Sequence, residues 1–357
     1  MKNVPELRFD GYEGEWEEKR ISDIVKINSG KDYKHLEDGL YPVYGTGGLM
    51  THVNEFLSEH DSIGIGRKGT IDRPMILKAP FWTVDTLFFA TPNKDCNLYY
   101  IFGVFQRINW LKYDESTGLP SLSKSNINNI RVTEPSIEEQ EKIGDLFKKI
   151  DALIEKQEYK VSKMEDFKKS MLQKMFPQKG QLVPELRFDG FENFGYHKGI
   201  INDFIVTHGS KNYITNPQKE GEYLVIQQGD IPVAGKSNNT PYLDYKNVIL
   251  FGDHTLSLYK PNNPFLLSTD GIKIIFIENI DRDFFYYLVK NFMPRSQGYK
   301  RHYKILRKVE VKIPISSKEQ QKIGQFFKNL DTQIETEEKL LESYKQMKKS
   351  LLQKMFV

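Results

Sequence analysis

One phrase opens both halves of the chain: VPELRFDGY at residues 4–12 and VPELRFDGF at 183–191. Two later phrases return in the same way. EQEKIG at 139–144 comes back as EQQKIG at 319–324, and SMLQKMF at 170–176 as SLLQKMF at 350–356. The first pair lies 179 residues apart and the other two 180. A period this long marks a duplicated domain, not a solenoid of short units. It restricts the fold to two similar halves. The length of 357 residues agrees, because it exceeds what one core usually holds.

The echo is uneven. Residues 31–130 carry YGTGGLM, IGIGRKGTIDRP and STGLPSLSKSNI, whereas 211–310 carry VIQQGDIPVAGKSNN, FGDHTLSLYKPNN and QGYKRHYKILRK. The middles hardly align. Each half therefore has a shared frame around a private centre, as two similar platforms with two different readers would.

The shared frame is a long helix. In segment 136–176, Ser136 and Glu139 have capping-box spacing behind Pro135. Ile143, Phe147, Ile150, Ile154, Val161, Met164, Met171 and Met175 follow steps of four and three, the rhythm of a coiled-coil seam. Gln157 and Lys168 interrupt it. The second copy repeats the seam with Ile323, Phe327, Leu330, Ile334, Leu341, Tyr344, Leu351 and Met355, interrupted at the equivalent Glu337 and Lys348. A helix of about 40 residues spans roughly 60 Å, and one with a single apolar stripe needs a partner. The natural partner is its own copy, packed antiparallel; pairing between chains is the alternative. Gly144 with Gly324, and Leu146 with Phe326, mark a second packing surface. In the opening phrases Val4, Pro5, Leu7 and Phe9 are expected to anchor the chain against the helices or a docked partner.

Catalytic motifs do not emerge. Gly64, Gly66 and Gly69 spell G-x-G-x-x-G, but TIDRPMILKAP supplies no helix after them, and no GK[ST] ending follows. Asn263-Pro264-Phe265 lacks the second proline of an adenine-methyltransferase N-P-P-F. Seven histidines without metal spacing and a single cysteine give no zinc site. That one cysteine, Cys96, forms no intramolecular disulfide. It is expected to be a small buried residue in a reducing cytoplasm. The N-terminus shows no apolar signal core, and no stretch approaches the roughly 18 apolar residues of a membrane span.

Net charge is only +3, so local patches decide what the surface attracts. Arg67-Lys68-Gly69-Thr70, between Ile65 and Ile71, places cations at a strand turn where glycine lets backbone approach a phosphate. Tyr299-Lys300-Arg301-His302-Tyr303-Lys304 interleaves cations with tyrosines, the composition of a DNA-facing surface; a solvated strand edge is the plainer reading. Gln227, Gln228, Asn238 and Asn239 are loop amides of the kind that pair with adenine, and equally of the kind that form turns. Lys31, Tyr33, Thr46 and Lys124 in the first centre, and Lys211, Tyr213 and Lys236 in the second, complete the candidate DNA contacts.

In this arrangement the chain resembles the DNA-specificity subunit of a Type I restriction–modification system. The resemblance spans the chain. It rests on two variable domains alternating with two similar helices, and on YPVYGTGG, IGIGRKGTIDRP, FWTVDTLFF, STGLPSLSKSNINNIRV and PSIEEQEKIG, then VIQQGDI, STDGIKIIFI and SSKEQQKIG. It implies an α+β (broadly α/β) fold: two globular target-recognition domains, residues 1–135 and 178–316, separated by two long antiparallel coiled-coil helices, 136–177 and 317–357, in pseudo-two-fold duplication. Each domain would recognise one half of a split, asymmetric double-stranded DNA site, with the helices as a ruler between halves. Two methyltransferase subunits and restriction–translocation subunits would dock on the chain. S-adenosylmethionine, ATP and magnesium would belong to them, leaving this chain without cofactor, metal or catalytic residue. The second domain departs from the first in lacking G-R-K-G-T. The rivals are a self-contained DNA methyltransferase or nuclease, and a coiled-coil adaptor without DNA contact.

Overall fold

A computed structural model describes residues 3–298 and 300–357; Tyr299 of the basic stretch lies outside them, as do Met1 and Lys2. The chain divides into two compact units, Met1–Tyr159 with Lys339–Val357, and Lys160–Glu338. Each unit holds one globular domain, the first part of the long helix that follows it, and the last part of the other long helix.

In the first half, β1 (Glu17–Arg20), α1 (Ile21–Ile24), β2 (Val25–Ser29), β3 (Asp38–Gly45), β4 (Gly48–Val53), β5 (Ser62–Gly66), β6 (Met75–Leu77), β7 (Trp82–Thr83), β8 (Leu87–Pro92), α2 (Leu98–Arg107), α3 (Lys124–Asn129) and β9 (Arg131–Glu134) lead into α4 (Ile137–Met175). The second half follows with β10 (Tyr196–Ile200), β11 (Ile205–His208), β12 (Tyr223–Ile226), β13 (Val233–Ser237), β14 (Val248–Gly252), β15 (Leu258–Tyr259), β16 (Phe265–Leu267), β17 (Ile272–Ile277), α5 (Arg282–Asn291), α6 (Tyr303–Leu306), β18 (Glu310–Pro314) and α7 (Ser317–Met355).

The centres whose sequences hardly align share one topology. The first domain has sheets ordered β2-β8-β5-β6 and β4-β3-β7 with a ribbon β1-β9; the second has β11-β17-β14-β15 and β13-β12-β16 with β10-β18. The orders correspond strand for strand. Even the parallel pairings match, Val43 opposite Trp82 and Val225 opposite Leu266. The central strands SIGIG and VILFG are buried throughout, as strands covered on both faces must be.

Each long helix has 39 residues. Inside each unit the two helical parts run antiparallel, so the chain supplies its own partner helix. In the first unit Lys348 pairs with Asp151 at 2.5 Å and Lys345 with Glu158 at 2.6 Å. In the second, Lys168 pairs with Asp331, and Lys160 with Glu337 at 2.7 Å. The seam interruptions at Lys168 and Lys348 are thus reciprocal ion pairs. Ile143, Phe147, Ile150, Val161, Ile323, Phe327, Leu330 and Ile334 are buried, while Ile154, Met164, Leu341 and Tyr344 are half-buried. The first residues of each seam do more than pair helices: Ile143 and Phe147 join the first domain's core, Ile323 and Phe327 the second's. The phrase ending each half plugs the other half's domain. Phe356 stacks on Tyr100, with centroids 5.4 Å apart, and Phe176 lies 5.5 Å from Phe284 and 5.8 Å from Phe327.

The opening repeat is a clamp, and its chief residue is the arginine. Arg8 grips both carboxylate oxygens of Glu139 at 2.8 Å, and Arg187 grips Glu319 at 2.7 and 2.8 Å. The Leu7 N–H donates to Lys354 O, and the Leu186 N–H to Lys174 O. Of the expected anchors, Pro5 is buried and Phe9 packs on the core, but Val4 and Leu7 are exposed. The capping box is half formed: Ser136 Oγ accepts the Glu139 N–H at 3.4 Å, while the Glu139 carboxylate turns to Arg8. The EQxKIG phrase completes the frame. Gln140 accepts from the Asn97 N–H, and Gln320 from the Asp281 N–H, each at 3.0 Å, tying the long helix to the start of α2 or α5. Gly144 and Gly324 allow that approach. A Cβ on Gly144 would stand 2.2 Å from Asn97 Oδ1, and one on Gly324 2.6 Å from the Phe284 nitrogen.

Candidate nucleic-acid interface

In the first domain the cations gather where β5 ends. The N–H groups of Arg67 and Lys68 both donate to Thr86 O, at 2.8 and 3.3 Å. The chain then turns back on itself. A Cβ on Gly66 would meet Thr70 O at 1.9 Å, and Gly69 takes φ +93°, so neither position accepts a side chain without strain. STGLPSLSKSN braces the turn: Gly69 N–H donates to Pro120 O, and Leu122 N–H to Arg67 O. Asp114 ties that brace by accepting the N–H groups of Ser121 and Ser116 at 2.9 Å, which holds its carboxyl below the usual range.

The result is a cleft of about 540 Å³ lined by Ser29, Arg67, Lys68, Phe88, Glu115, Ser121 and Lys124 among others. Phe88 is its floor: the Arg67 guanidinium lies 5.7 Å and the Lys124 ammonium 5.9 Å from the ring centre. Three cations face one carboxylate, and Glu115 is engaged by Ser123 Oγ at 3.1 Å and by Asn126. A second cleft, about 730 Å³, is lined by Asp32, Tyr33, Lys34, Thr46, Met50 and the segment 84–86. The Arg67 and Lys68 N–H groups hydrogen-bond Thr86 of that segment, which ties the lining of the first cleft to that of the second. Lys31 is exposed beside it, its N–H donating to Thr83 O and its carbonyl accepting from Trp82 Nε1. The structure thus gathers Arg67, Lys68, Gly69, Thr70 and Lys124, and sets Tyr33 and Thr46 next door. Phe88, Lys34 and Met50 were missed; Phe88 sits in a strand and reads as core from sequence alone.

In the second domain the same surface is built differently. The residue after β14 is Asp253, where the first domain has Arg67. Register places Lys273, opposite Phe251, where the first domain has Phe88 opposite Ile65. Lys300, Arg301 and Lys304 are exposed, on a loop and a short helix and not on a strand edge. Tyr303 leaves the DNA-facing set. It is 7% exposed, packed in the core, with its hydroxyl bonded to Thr207, because the α6 turn sends Tyr303 and Leu306 inward together.

The loop amides bond within the domain. Gln227 donates to Ile231 O at 2.9 Å, Gln228 accepts from the His254 N–H at 3.3 Å, and Asn238 accepts from the Glu222 N–H at 2.9 Å. Gln227 thus closes its own hairpin turn, while Gln228 and Asn238 tie their loops to distant segments of the domain. Lys211 and Lys236 are exposed, and Tyr213 is half-buried against Tyr242. The hairpin tip that carries Gln227 presents Ile231, 71% exposed.

Cys96 is half-buried, not buried, and its thiol donates to Glu134 Oε1 at 3.2 Å. Burial, with that carboxylate, pushes the thiol up to about 12, so it is no ready nucleophile. The N-P-F phrase opens β16 with Phe265 in the core. Among the described residues no cluster of three or more His, Cys, Asp or Glu is placed to hold a metal, and no helix is long and apolar enough to cross a membrane.

Two domains of one topology, each fused to paired helices and each presenting its own set of cations on the same surface, define a duplicated recognition scaffold. The chain belongs to the family of the Type I restriction modification DNA specificity domain, whose family model matches residues 13–165 and again 157–346. Among curated proteins it is 23% identical, over 98% of its own length and 94% of the relative's, to the Type I restriction enzyme MjaVIII specificity subunit of Methanocaldococcus jannaschii. It is also 23% identical over 155 residues to the Type I restriction enzyme EcoprrI specificity subunit of Escherichia coli; that match spans 41% of this chain and 39% of the relative. Among solved structures, the Type I restriction–modification S subunit from M. genitalium shares the fold, with a TM-score of 0.72 at 16% identity over 99% of both chains.

Proposed function

We propose that this chain is the non-catalytic specificity subunit of a Type I restriction–modification complex and reads a bipartite, asymmetric double-stranded DNA site, one half with each domain. One observation carries the reading: the two domains keep one topology while the same strand-end positions differ, Arg67 against the buried Asp253 and the buried Phe88 against Lys273, so that each domain exposes its own cations there. Identical frames serve identical partners; different surfaces serve different half-sites. Lysines and arginines set the register on phosphates, and a smaller set of side chains reads base edges. Methyltransferase and restriction–translocation subunits would carry S-adenosylmethionine, ATP and magnesium, and the complex would work in the cytoplasm.

The assembled complex tests this with a duplex selected from a randomised pool. Replacing Arg67 and Lys68 with Ala is expected to weaken binding and to make the salt dependence shallower by about two phosphate contacts. An unchanged slope across the salt series removes these residues from the interface; no enrichment of any sequence removes the function. The helices as ruler are tested separately. Four residues inserted near Lys160, about one turn, should change the selected gap and leave both half-site sequences alone.

A further inference from the structure

His302 has no exposed surface, yet both of its ring nitrogens are committed to backbone. Nδ1 lies 3.0 Å from the carbonyl oxygen of Asp253, which only accepts, so the ring proton is on Nδ1. Nε2 is then bare and accepts the N–H of Gln297 at 3.0 Å. The backbone adds two bonds: His302 N–H donates to Asp253 O at 2.9 Å, and Tyr303 N–H to Asp253 Oδ1 at 2.7 Å. Asp253 is itself buried and anchored, its N–H donating to Gly271 O at 2.8 Å. Two buried polar side chains thus form one satisfied clasp, an arrangement costly to break in part.

The clasp closes a turn. The bond from Gln297 to His302 spans the positions of Lys300 and Arg301, both exposed. Within it Gly298 takes φ +74°, and the Lys300 N–H donates to Gly298 O at 2.8 Å. The first domain shows what the clasp replaces. There Leu122 makes the same backbone bond, to Arg67 O at 2.9 Å, and buries an apolar side chain. Its cations, Arg67 and Lys68, stand directly on the strand end and are fixed by Thr86. In the second domain the cations have moved to the turn before α6, and the imidazole is what pins that turn to the strand end.

We infer that His302 is a positioning residue for DNA recognition by the second domain: acting through Gln297, it holds Lys300 and Arg301 against the phosphate backbone without touching DNA. The inference rests on the proposed function, in that the turn must face DNA.

Three variants of the full chain, each in the assembled complex, separate the two ideas when binding to the selected duplex is followed across salt. The Lys300→Ala, Arg301→Ala double variant should make the salt slope shallower by about two. His302→Leu, the residue type the first domain carries here, removes both ring bonds and should lose most of the same slope. His302→Gln keeps an acceptor for the Gln297 N–H and should retain the wild-type slope. A wild-type slope in the double variant shows that the turn does not meet phosphate, and both readings of it fall. A reduced slope there with a normal one in His302→Leu, or equal loss in His302→Gln and His302→Leu, overturns the positioning role alone. A purely structural histidine would lower affinity and leave the slope unchanged.

Discussion

At the end of β5 the first domain writes Gly66-Arg67-Lys68-Gly69; at the end of β14, at the same place in the same topology, the second writes Gly252-Asp253-His254-Thr255. The positive charge has not disappeared from the second surface. It has moved to Lys273 on the neighbouring strand and to Lys300, Arg301 and Lys304 on the segment bonded to Asp253. Around these shifting surfaces the frame is held fixed by the same contacts, down to an arginine–glutamate pair and a helix glycine. A duplicated chain can therefore diverge where it reads and stay constrained where it is built, because packing tolerates few changes and an exposed loop tolerates many.

The equivalence of the two frames is open to attack at its strongest contact. Glu139 is 1% exposed and Glu319 fully buried, and each is held bidentately by its arginine. Losing the arginine leaves a buried carboxylate uncompensated, which costs about 3–5 kcal/mol. The two are not identical, however. Tyr196 also donates to Glu319 at 3.1 Å, so Arg187→Ala leaves that carboxylate one hydrogen bond. Arg8→Ala is expected to be the costlier of the two in denaturant unfolding of the full chain. Losses under about 1 kcal/mol, or a costlier Arg187→Ala, would show that the clamp is not what secures each opening.

A smaller difference is expected at the helix glycines. Alanine at Gly144 presses on Asn97 Oδ1, a side-chain atom that also caps α2 through the N–H groups of Tyr99 and Tyr100. Alanine at Gly324 presses on the backbone nitrogen of Phe284, which cannot rotate away. Overpacking of this kind costs about 1–3 kcal/mol, partly offset by alanine's better helix propensity of about 1 kcal/mol. Gly324→Ala should therefore destabilise more than Gly144→Ala. Equal thermal shifts would place the strain elsewhere.

How much of this was legible in the sequence follows from the same divide. The repeat, the helices and their antiparallel pairing were readable because the frame retains its letters and its period of four and three. Arg8 and Arg187 stand in the plainest repeat of all, yet the expected anchors are its apolar residues Val4, Pro5, Leu7 and Phe9, of which Pro5 and Phe9 pack while Val4 and Leu7 are 41% and 44% exposed. A charged residue kept in both copies, with Glu139 and Glu319 kept in both partners, was the signal. The common topology of the centres was not readable. A buried strand needs apolar residues of suitable volume, and SIGIG and VILFG meet that need with only an Ile and the final Gly in common. Tyr303 misled for a local reason. Alternation with lysines looked like a surface, but the one-turn helix α6 puts Tyr303 and Leu306 on one face.

The finest contrast lies between Phe88 and Lys273, one position in two domains. The Phe88 ring sits under two cations without carrying charge, so Phe88→Leu removes a cation–π contact of about 0.5–1 kcal/mol and no counterion-releasing group. DNA affinity of the assembled complex should fall roughly two- to fivefold with its salt slope intact. Lys273 is a cation, with Nζ held 2.8 Å from Asp270 O, so Lys273→Ala should make the slope shallower by about one. The pair of salt series thus asks whether the second domain has replaced an aromatic support with a phosphate contact. If both variants leave the slope alone, Lys273 is a strand lysine bound to its own loop.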